Sequence, residues 1–96
     1  MSETDGVHVE YLDRSIAIIE RDIQKLKETG HFFSKEFKEY FAQRYETMKS
    51  EDELLFSGYR LVRQIQYGVE PLPQLVADKE ANLLRLYDEI IALLRA

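Results

Sequence analysis

The sequence predicts an all-α fold, an antiparallel helical bundle of three long or four shorter helices. Two observations carry this prediction. Apolar residues recur every three or four positions along most of the chain, which is the spacing of one helix face. No segment combines the alternating pattern of a half-buried strand with a hairpin turn. A chain of 96 residues fits one domain, which we place over residues 7–96 behind a flexible tail of residues 1–6.

The first predicted helix begins near Val7 and ends near Glu28. Its apolar residues form a strict heptad seam, made of Val9, Leu12, Ile16, Ile19, Ile23 and Leu26. Gly30 follows, and glycine is the usual residue for ending a helix in the left-handed conformation. The seam predicts that this helix packs along one side only.

The next helical segment begins at Ser34, a suitable N-cap, and ends before Gly68. Leu54, Leu61 and Ile65 lie beside its seam. The seam itself is a second heptad series, formed by Phe37, Phe41, Tyr45, Met48, Leu55, Tyr59 and Val62. The spacing predicts that these seam residues face the core.

Two signals conflict in the middle of this segment. Ser50 and Glu53 have the spacing of a capping box, which predicts a break near Lys49–Ser50. The heptad phase nevertheless runs straight through, so one helix over residues 34–67, about 51 Å long, stays open as the alternative. Gly58 inside a helix costs about 1 kcal/mol relative to alanine. It is consistent with close approach of another helix and equally with simple tolerance.

The last helix is predicted to begin near Leu72 or Pro73 and to run to about Arg95. Its second half is apolar on most sides, through Leu83, Leu84, Leu86, Tyr87, Ile90, Ile91, Leu93 and Leu94. A helix on the outside of a bundle needs an apolar arc of little more than about 100°. We therefore expect this helix to lie in the centre of the bundle or against another chain.

Composition excludes several classes of function. The formal net charge is −5, and even the most basic stretch, residues 31–50, is almost neutral, which argues against nucleic acid as a partner. The chain has no cysteine, so disulfides, thiolate catalysis and cysteine-ligated zinc are excluded. The polar, acidic N-terminus does not resemble a signal peptide, and no apolar run is long enough to span a bilayer. The expected location is the cytoplasm.

Motifs that carry chemistry are absent or isolated. Glu28 and His31 have the Glu-x-x-His spacing of di-iron bundles, but there is one copy and Gly30 interrupts it. The sequence has no nucleophile elbow and no glycine-rich phosphate loop. We therefore expect a protein that is not an enzyme, with no catalytic residue, metal, cofactor or small-molecule ligand.

An aromatic cluster occupies the segment that follows the first helix. Six of the eleven aromatic residues lie within fourteen positions: Phe32, Phe33, Phe37, Tyr40, Phe41 and Tyr45. Lys35, Lys38 and Arg44 are interleaved with them. This pattern favours a hot-spot surface for protein binding, or a platform on which single-stranded bases stack. Phe37 and Phe41 are predicted to be core.

The sequence leads to a non-catalytic protein-interaction module. A homodimeric bundle is the first hypothesis, and a small chaperone, immunity or regulatory protein that binds a partner's helix is the second. The alternatives are a single-stranded nucleic-acid binder using residues 32–49 and, less favoured, a small helical enzyme. The candidate interface residues are Phe32, Phe33, Tyr40, Leu84, Leu86, Ile90 and Leu93.

Overall fold

The computed structural model describes residues 3–68 and 71–96. In this part of the chain there are three long helices and no strand, so the predicted all-α bundle is confirmed. A short 3₁₀ turn, Gly30–Phe32, joins the first helix to the second. No helix of the described residues is both long enough and apolar enough to cross a membrane. The helices are α1 (Glu3–Thr29), α2 (Lys35–Tyr67) and α3 (Gln74–Arg95).

The first helix begins earlier than the sequence predicts. Residues 3–6 are the first turn of α1, so the predicted flexible tail is wrong for these residues, while residues 1 and 2 lie outside the described part. The physical reason is Asp5, which is only 2 % exposed and accepts hydrogen bonds from Tyr59 and Arg63 of α2. Glu3 and Asp5 also place negative charge at the positive end of the helix dipole.

The second helix is continuous, and the predicted break near Lys49–Ser50 is wrong. α2 has 33 residues without interruption, which at 1.5 Å per residue gives about 50 Å. That length matches the longest dimension of the molecule, 50 Å. Asp52 interrupts the apolar seam without ending the helix, because Tyr11 and Tyr87 both donate hydrogen bonds to its carboxylate.

The ends of α2 follow the sequence, whereas the end of α1 does not. The Ser34 hydroxyl accepts a hydrogen bond from the Phe37 amide at 3.1 Å, as an N-cap should. Gly68 ends α2 with a φ of 71°, and its amide donates to the Gln64 carbonyl. Among the described residues only Gly68 has a positive φ. The left-handed stop predicted at Gly30 is therefore wrong, and the chain tightens there into the 3₁₀ turn instead.

The last helix lies at the centre of the bundle, as its wide apolar arc predicts. α1 and α2 each pack along α3, while few backbone contacts join α1 to α2. α1 runs parallel to α3, as the contacts His8–Glu80 and Lys27–Glu89 show. α2 runs antiparallel to α3, as the contacts Arg60–Glu80 and Asp52–Tyr87 show. The buried residues of α3 include Val76, Leu83, Leu86, Tyr87, Ile90 and Leu94. α1 and α2 meet mainly through side chains, such as those of Tyr59 and Arg63, which donate hydrogen bonds to Asp5.

The core-facing side of α2 is rotated from the predicted seam. The predicted seam residues Leu55 and Val62 are 44 % and 43 % exposed, whereas the neighbouring Phe56 and Arg63 are buried. We name the core-facing row of α2 the inner row; its members, which follow strict heptad spacing, are Ala42, Tyr45, Lys49, Asp52, Phe56, Tyr59 and Arg63. Only three of these seven residues have large apolar or aromatic side chains. The other four are one alanine and three charged residues: Ala42, Lys49, Asp52 and Arg63. The row facing the core is therefore poorer in apolar residues than the row beside it.

We predict that Leu83→Ala destabilises the fold by about 2–5 kcal/mol, because Leu83 is fully buried and its loss leaves a cavity inside the bundle. Leu75→Ala on the same helix is the matched control. Leu75 is half exposed, so its truncation should cost less than about 1 kcal/mol. Urea unfolding followed by circular dichroism measures both. Equal losses for the two variants would contradict the central position of α3.

Candidate interaction surface

A contiguous exposed apolar surface lies on the second half of α2. Leu54 is 74 % exposed, Leu61 is 59 % exposed and Ile65 is 77 % exposed, and Leu55 and Val62 are nearly half exposed. On a helix with 3.6 residues per turn all five lie within about 60° of Gly58. We call this surface the Gly58 face; it consists of Leu54, Leu55, Gly58, Leu61, Val62 and Ile65.

Such a surface is costly to leave in water. Fully burying one leucine, isoleucine or valine side chain is worth about 1.5–3 kcal/mol, and the Gly58 face leaves five of them at least two-fifths exposed. Single exposed apolar residues are common and need no explanation, but a contiguous patch on one helix marks an interaction site or a tendency to aggregate.

Gly58 has no packing role within the chain. Its backbone is helical, and a Cβ built at this position meets no atom within 4 Å. Glycine at a helix interior costs about 1 kcal/mol relative to alanine. No neighbouring group in the described chain would clash with a side chain at this position. The glycine therefore lowers the stability of the helix, and no contact within the chain offsets that loss.

A groove between α1 and α2 continues the Gly58 face. It has a volume of about 1070 Å³ and runs along the side of the bundle away from α3. Val7, which is 63 % exposed, and Tyr11 form its wall on α1, and Leu54, Leu55 and Val62 form its wall on α2. Glu3 and Glu51 also line the groove.

Beneath this surface, the polar members of the inner row are paired. Arg63 donates to the Asp5 carboxylate from Nε at 2.9 Å and to the Pro71 carbonyl at 3.2 Å. The Tyr59 hydroxyl donates to the same carboxylate. Arg63 also lies over the Tyr67 ring, 5.3 Å from its centre. These bonds are directional, so they fix which side of α2 faces α1.

A second buried pair adjoins the first. His8 Nε2 lies 2.8 Å from a Glu80 carboxylate oxygen, and Arg60 donates to the same carboxylate from the solvent side. The His8 ring stacks on Tyr59 at 3.9 Å between ring centres and meets Phe56 edge-on at 5.5 Å. His8 is 6 % exposed and Glu80 is 3 % exposed, so both side chains are engaged with protein groups inside the bundle.

The third buried carboxylate, Asp52, accepts from two tyrosines. Burial, followed by the hydrogen bond to Asp52, raises the pKa of Tyr11 to about 12. Burial and a hydrogen bond to a carboxylate also raise the pKa of Tyr45, Tyr59 and Tyr87. The physical cause is the same in each, since an anionic phenolate would be desolvated beside another negative charge.

The aromatic cluster lies at the opposite end of the molecule. Phe32 and Tyr40 are more exposed than Phe33, which is 40 % exposed. Phe37 was predicted to be core but is half exposed; its ring lies between those of Phe33 and Phe41, tilted against both, with ring centres 4.9 and 4.8 Å away. The rings therefore contact one another along the opening between α1 and α2.

The predicted candidate interface divides into two groups. Phe32, Phe33 and Tyr40 lie on the surface, as an interface requires. Leu86 and Ile90 do not, because they are 3 % and 1 % exposed in the core, and Leu84 and Leu93 are partly buried against that core. Those four residues are therefore removed from the candidate surface: the central position of α3 already buries its wide apolar arc.

The residues of the Gly58 face were not among the predicted interface residues. The signal that identifies them is present in the sequence: Leu54, Leu61 and Ile65 lie beside a seam that already has its own apolar residues. A helix with two apolar rows buries one row and presents the other. Which row is buried depends on the pairing of Asp5 with Arg63. These residues are 58 positions apart in the sequence, so the local pattern does not show that they pair.

The metal-binding motif considered in the sequence, Glu28 with His31, is not assembled into a site. Glu28 accepts from Gln24 at the end of α1, and His31 lies in the 3₁₀ turn with its ring against Phe32. Over residues 3–68 and 71–96 no three histidine or acidic side chains are grouped as metal ligands.

Comparison with protein-family models, with curated proteins and with solved structures finds no match to this chain. Its class is therefore defined by its own fold and surface. It is a three-helix bundle in which α3 packs against both other helices and the longest helix, α2, presents an apolar face to solvent.

We predict that Asp5→Ala destabilises the fold by about 3–5 kcal/mol, because it leaves the Arg63 guanidinium buried without its carboxylate. Glu3→Ala is the matched control, since Glu3 is an exposed acid in the same helical turn. Thermal unfolding at neutral pH measures the difference. A loss no larger for Asp5→Ala than for Glu3→Ala would show that the buried pair does not hold α1 to α2.

The raised tyrosine pKa values predict loss of stability in alkali. Tyr11 in the unfolded chain titrates near the ordinary value of 10 and in the folded chain near 12. Between these values only the unfolded state loses its proton, so the free energy of unfolding falls as the pH rises through this window. Tyr11→Phe should make that fall less steep, and Tyr40→Phe, at an exposed ring, is the control. Urea unfolding at several pH values measures the slopes.

Proposed function

We propose that this protein is a non-catalytic protein-interaction module that forms a homodimer through the Gly58 face. The observation that carries the proposal is the exposure of five large apolar side chains around one helical glycine. Burying such a patch is the main favourable term in most protein association. A cytoplasmic location stays a prediction.

The paired inner row supports this function against a simpler explanation. If α2 were only misaligned, a rotation would bring Leu55 and Val62 inward and move Phe56 and Arg63 out. That rotation would break the bonds from Arg63 and Tyr59 to Asp5, and those from Tyr11 and Tyr87 to Asp52. Unpairing buried charges is strongly unfavourable. The apolar row is therefore held on the outside, where only another chain can cover it.

A second candidate is favoured by the groove. An open apolar channel between two helices is the geometry in which an amphipathic helix docks, and the groove between α1 and α2 has such walls. In this version the protein binds a helix of a different protein, as a small chaperone, immunity or regulatory protein does. Both candidates use the same side chains and differ in the partner.

We predict that Ile65→Glu prevents association, because it places a charge within a contact that must lose its water. Light scattering on the purified protein, at concentrations from about 1 to 100 µM, should give twice 11.4 kDa for the unchanged chain and 11.4 kDa for the variant. Gln64→Glu is the matched control, since it adds the same charge at an exposed position about 120° around the helix from Gly58, and should leave the dimer intact.

Two outcomes separate the candidates. A mass of 11.4 kDa for the unchanged chain at every concentration removes the homodimer and leaves the helix-binding function. A dimer that survives Ile65→Glu as well as it survives Gln64→Glu shows that the copies associate through another surface. Circular dichroism of each variant confirms that the helices are retained.

A further inference from the structure

We infer that two copies of this chain pair through an antiparallel contact of α2 with α2, with the two-fold axis passing beside Gly58; this inference rests on the proposed homodimer and specifies its geometry. The Gly58 face is symmetric about its glycine. Leucines or valine occupy the positions three and four residues before Gly58 and three and four residues after it: Leu54, Leu55, Leu61 and Val62.

This symmetry makes the face complementary to itself. In a dimer with two-fold symmetry the same patch serves on both copies, so each contact must occur twice. When α2 meets a reversed copy of itself at Gly58, Leu54 of one copy meets Leu61 of the other, and Leu55 meets Val62. Every large side chain near the centre then has an apolar partner of similar size.

Gly58 lies at the point where the two helices come closest. A residue without a side chain at the crossing lets two helix backbones approach, and the approach places the flanking leucines in contact. Space for this approach exists, because a Cβ built at Gly58 meets nothing within 4 Å beyond its chain neighbours and the backbone of its own helical turns. Close approach of the two helices therefore explains why a glycine stands at this position, which contacts within one chain do not explain.

Charge selects the antiparallel direction. Glu51 is the acidic residue at the end of the face and lines the adjoining groove. A parallel pair would place Glu51 against the Glu51 of the second copy, and like charges at close range repel. An antiparallel pair places it beside Ile65 and Gln66 of the second copy, where a glutamine amide can donate to the carboxylate.

Another occupant fits this face less well. A helix from a different protein would need only apolar residues on one side, and nothing in its binding would require the face to be symmetric about a glycine. The symmetry, the open space at Gly58 and the position of Glu51 are three separate features of the same four turns of α2. A second copy of the chain accounts for all of them.

Cysteine cross-linking tests the geometry, because the 96-residue chain has no cysteine of its own. A disulfide requires Cα atoms about 4.4–6.8 Å apart. Gly58→Cys should form a covalent dimer in mild oxidant. Leu54→Cys and Leu61→Cys should form one with each other when mixed, using copies of different tag length, and not when each is alone. Gln64→Cys, about 120° around the helix from Gly58, is the control and should stay monomeric in denaturing gels.

A second variant separates the role of Gly58 from its effect on folding. Gly58→Ala should raise the melting temperature of the dilute monomer by several degrees, because alanine favours the helix and meets no atom of its own chain. The added methyl group should weaken the dimer at least tenfold, because it separates the two backbones. A rise in melting temperature with unchanged dimer affinity would overturn the crossing at Gly58.

The outcomes distinguish this geometry from the homodimer itself. If light scattering shows a dimer but Gly58→Cys does not cross-link, the geometry is wrong and the proposed function stands. Self-cross-linking of Leu54→Cys would show a parallel pair and overturn the antiparallel direction. If the unchanged chain is monomeric at every concentration, both the homodimer and its geometry fail.

Discussion

The contact between Asp5 and Arg63 is the interaction on which the rest of the structure depends. It joins the first turn of α1 to the last turns of α2 with both groups shielded from water. A charged pair so enclosed adds little net stability compared with an apolar pair, but it permits only one arrangement, since any other leaves a charge unpaired. Together with the tyrosine bonds to Asp5 and Asp52, it determines which row of α2 turns inward.

Much of the fold could be predicted from the sequence because it follows from local patterns. The heptad seam of α1, the cap at Ser34 and the wide apolar arc of the last helix are each visible within about twenty residues, and the structure confirms all three. The predictions that failed concern segments whose structure depends on contacts with distant residues. The hydrogen bonds to Asp5 hold residues 3–6 in the first turn of α1, where the sequence predicts a flexible tail. The hydrogen bonds to Asp52 stabilise α2 as one helix through a segment whose sequence resembles the start of a new helix.

The candidate surface was harder to predict, for a related reason. Hydrophobic periodicity shows that α2 has more apolar residues than one seam can use, but it does not show which ones are covered. The apolar arc of α3 looked like an interface and is the core, because two helices enclose it. The less conspicuous row through Leu61 and Ile65 is the exposed one. The buried polar residues, which are usually ignored when a core is predicted from sequence, determine which row of α2 is covered.

The inner row and the Gly58 face are neighbours on the same helical turns, since Phe56 follows Leu55 and Arg63 follows Val62. Exchanging the two rows would need a rotation of α2 by only about 100°, the step from one residue to the next around a helix. The structure nevertheless buries Phe56 and Arg63 and leaves Leu55 and Val62 nearly half exposed. In α2 the local hydrophobic pattern and the distant polar contacts therefore favour different orientations, a conflict that natural sequences mostly avoid.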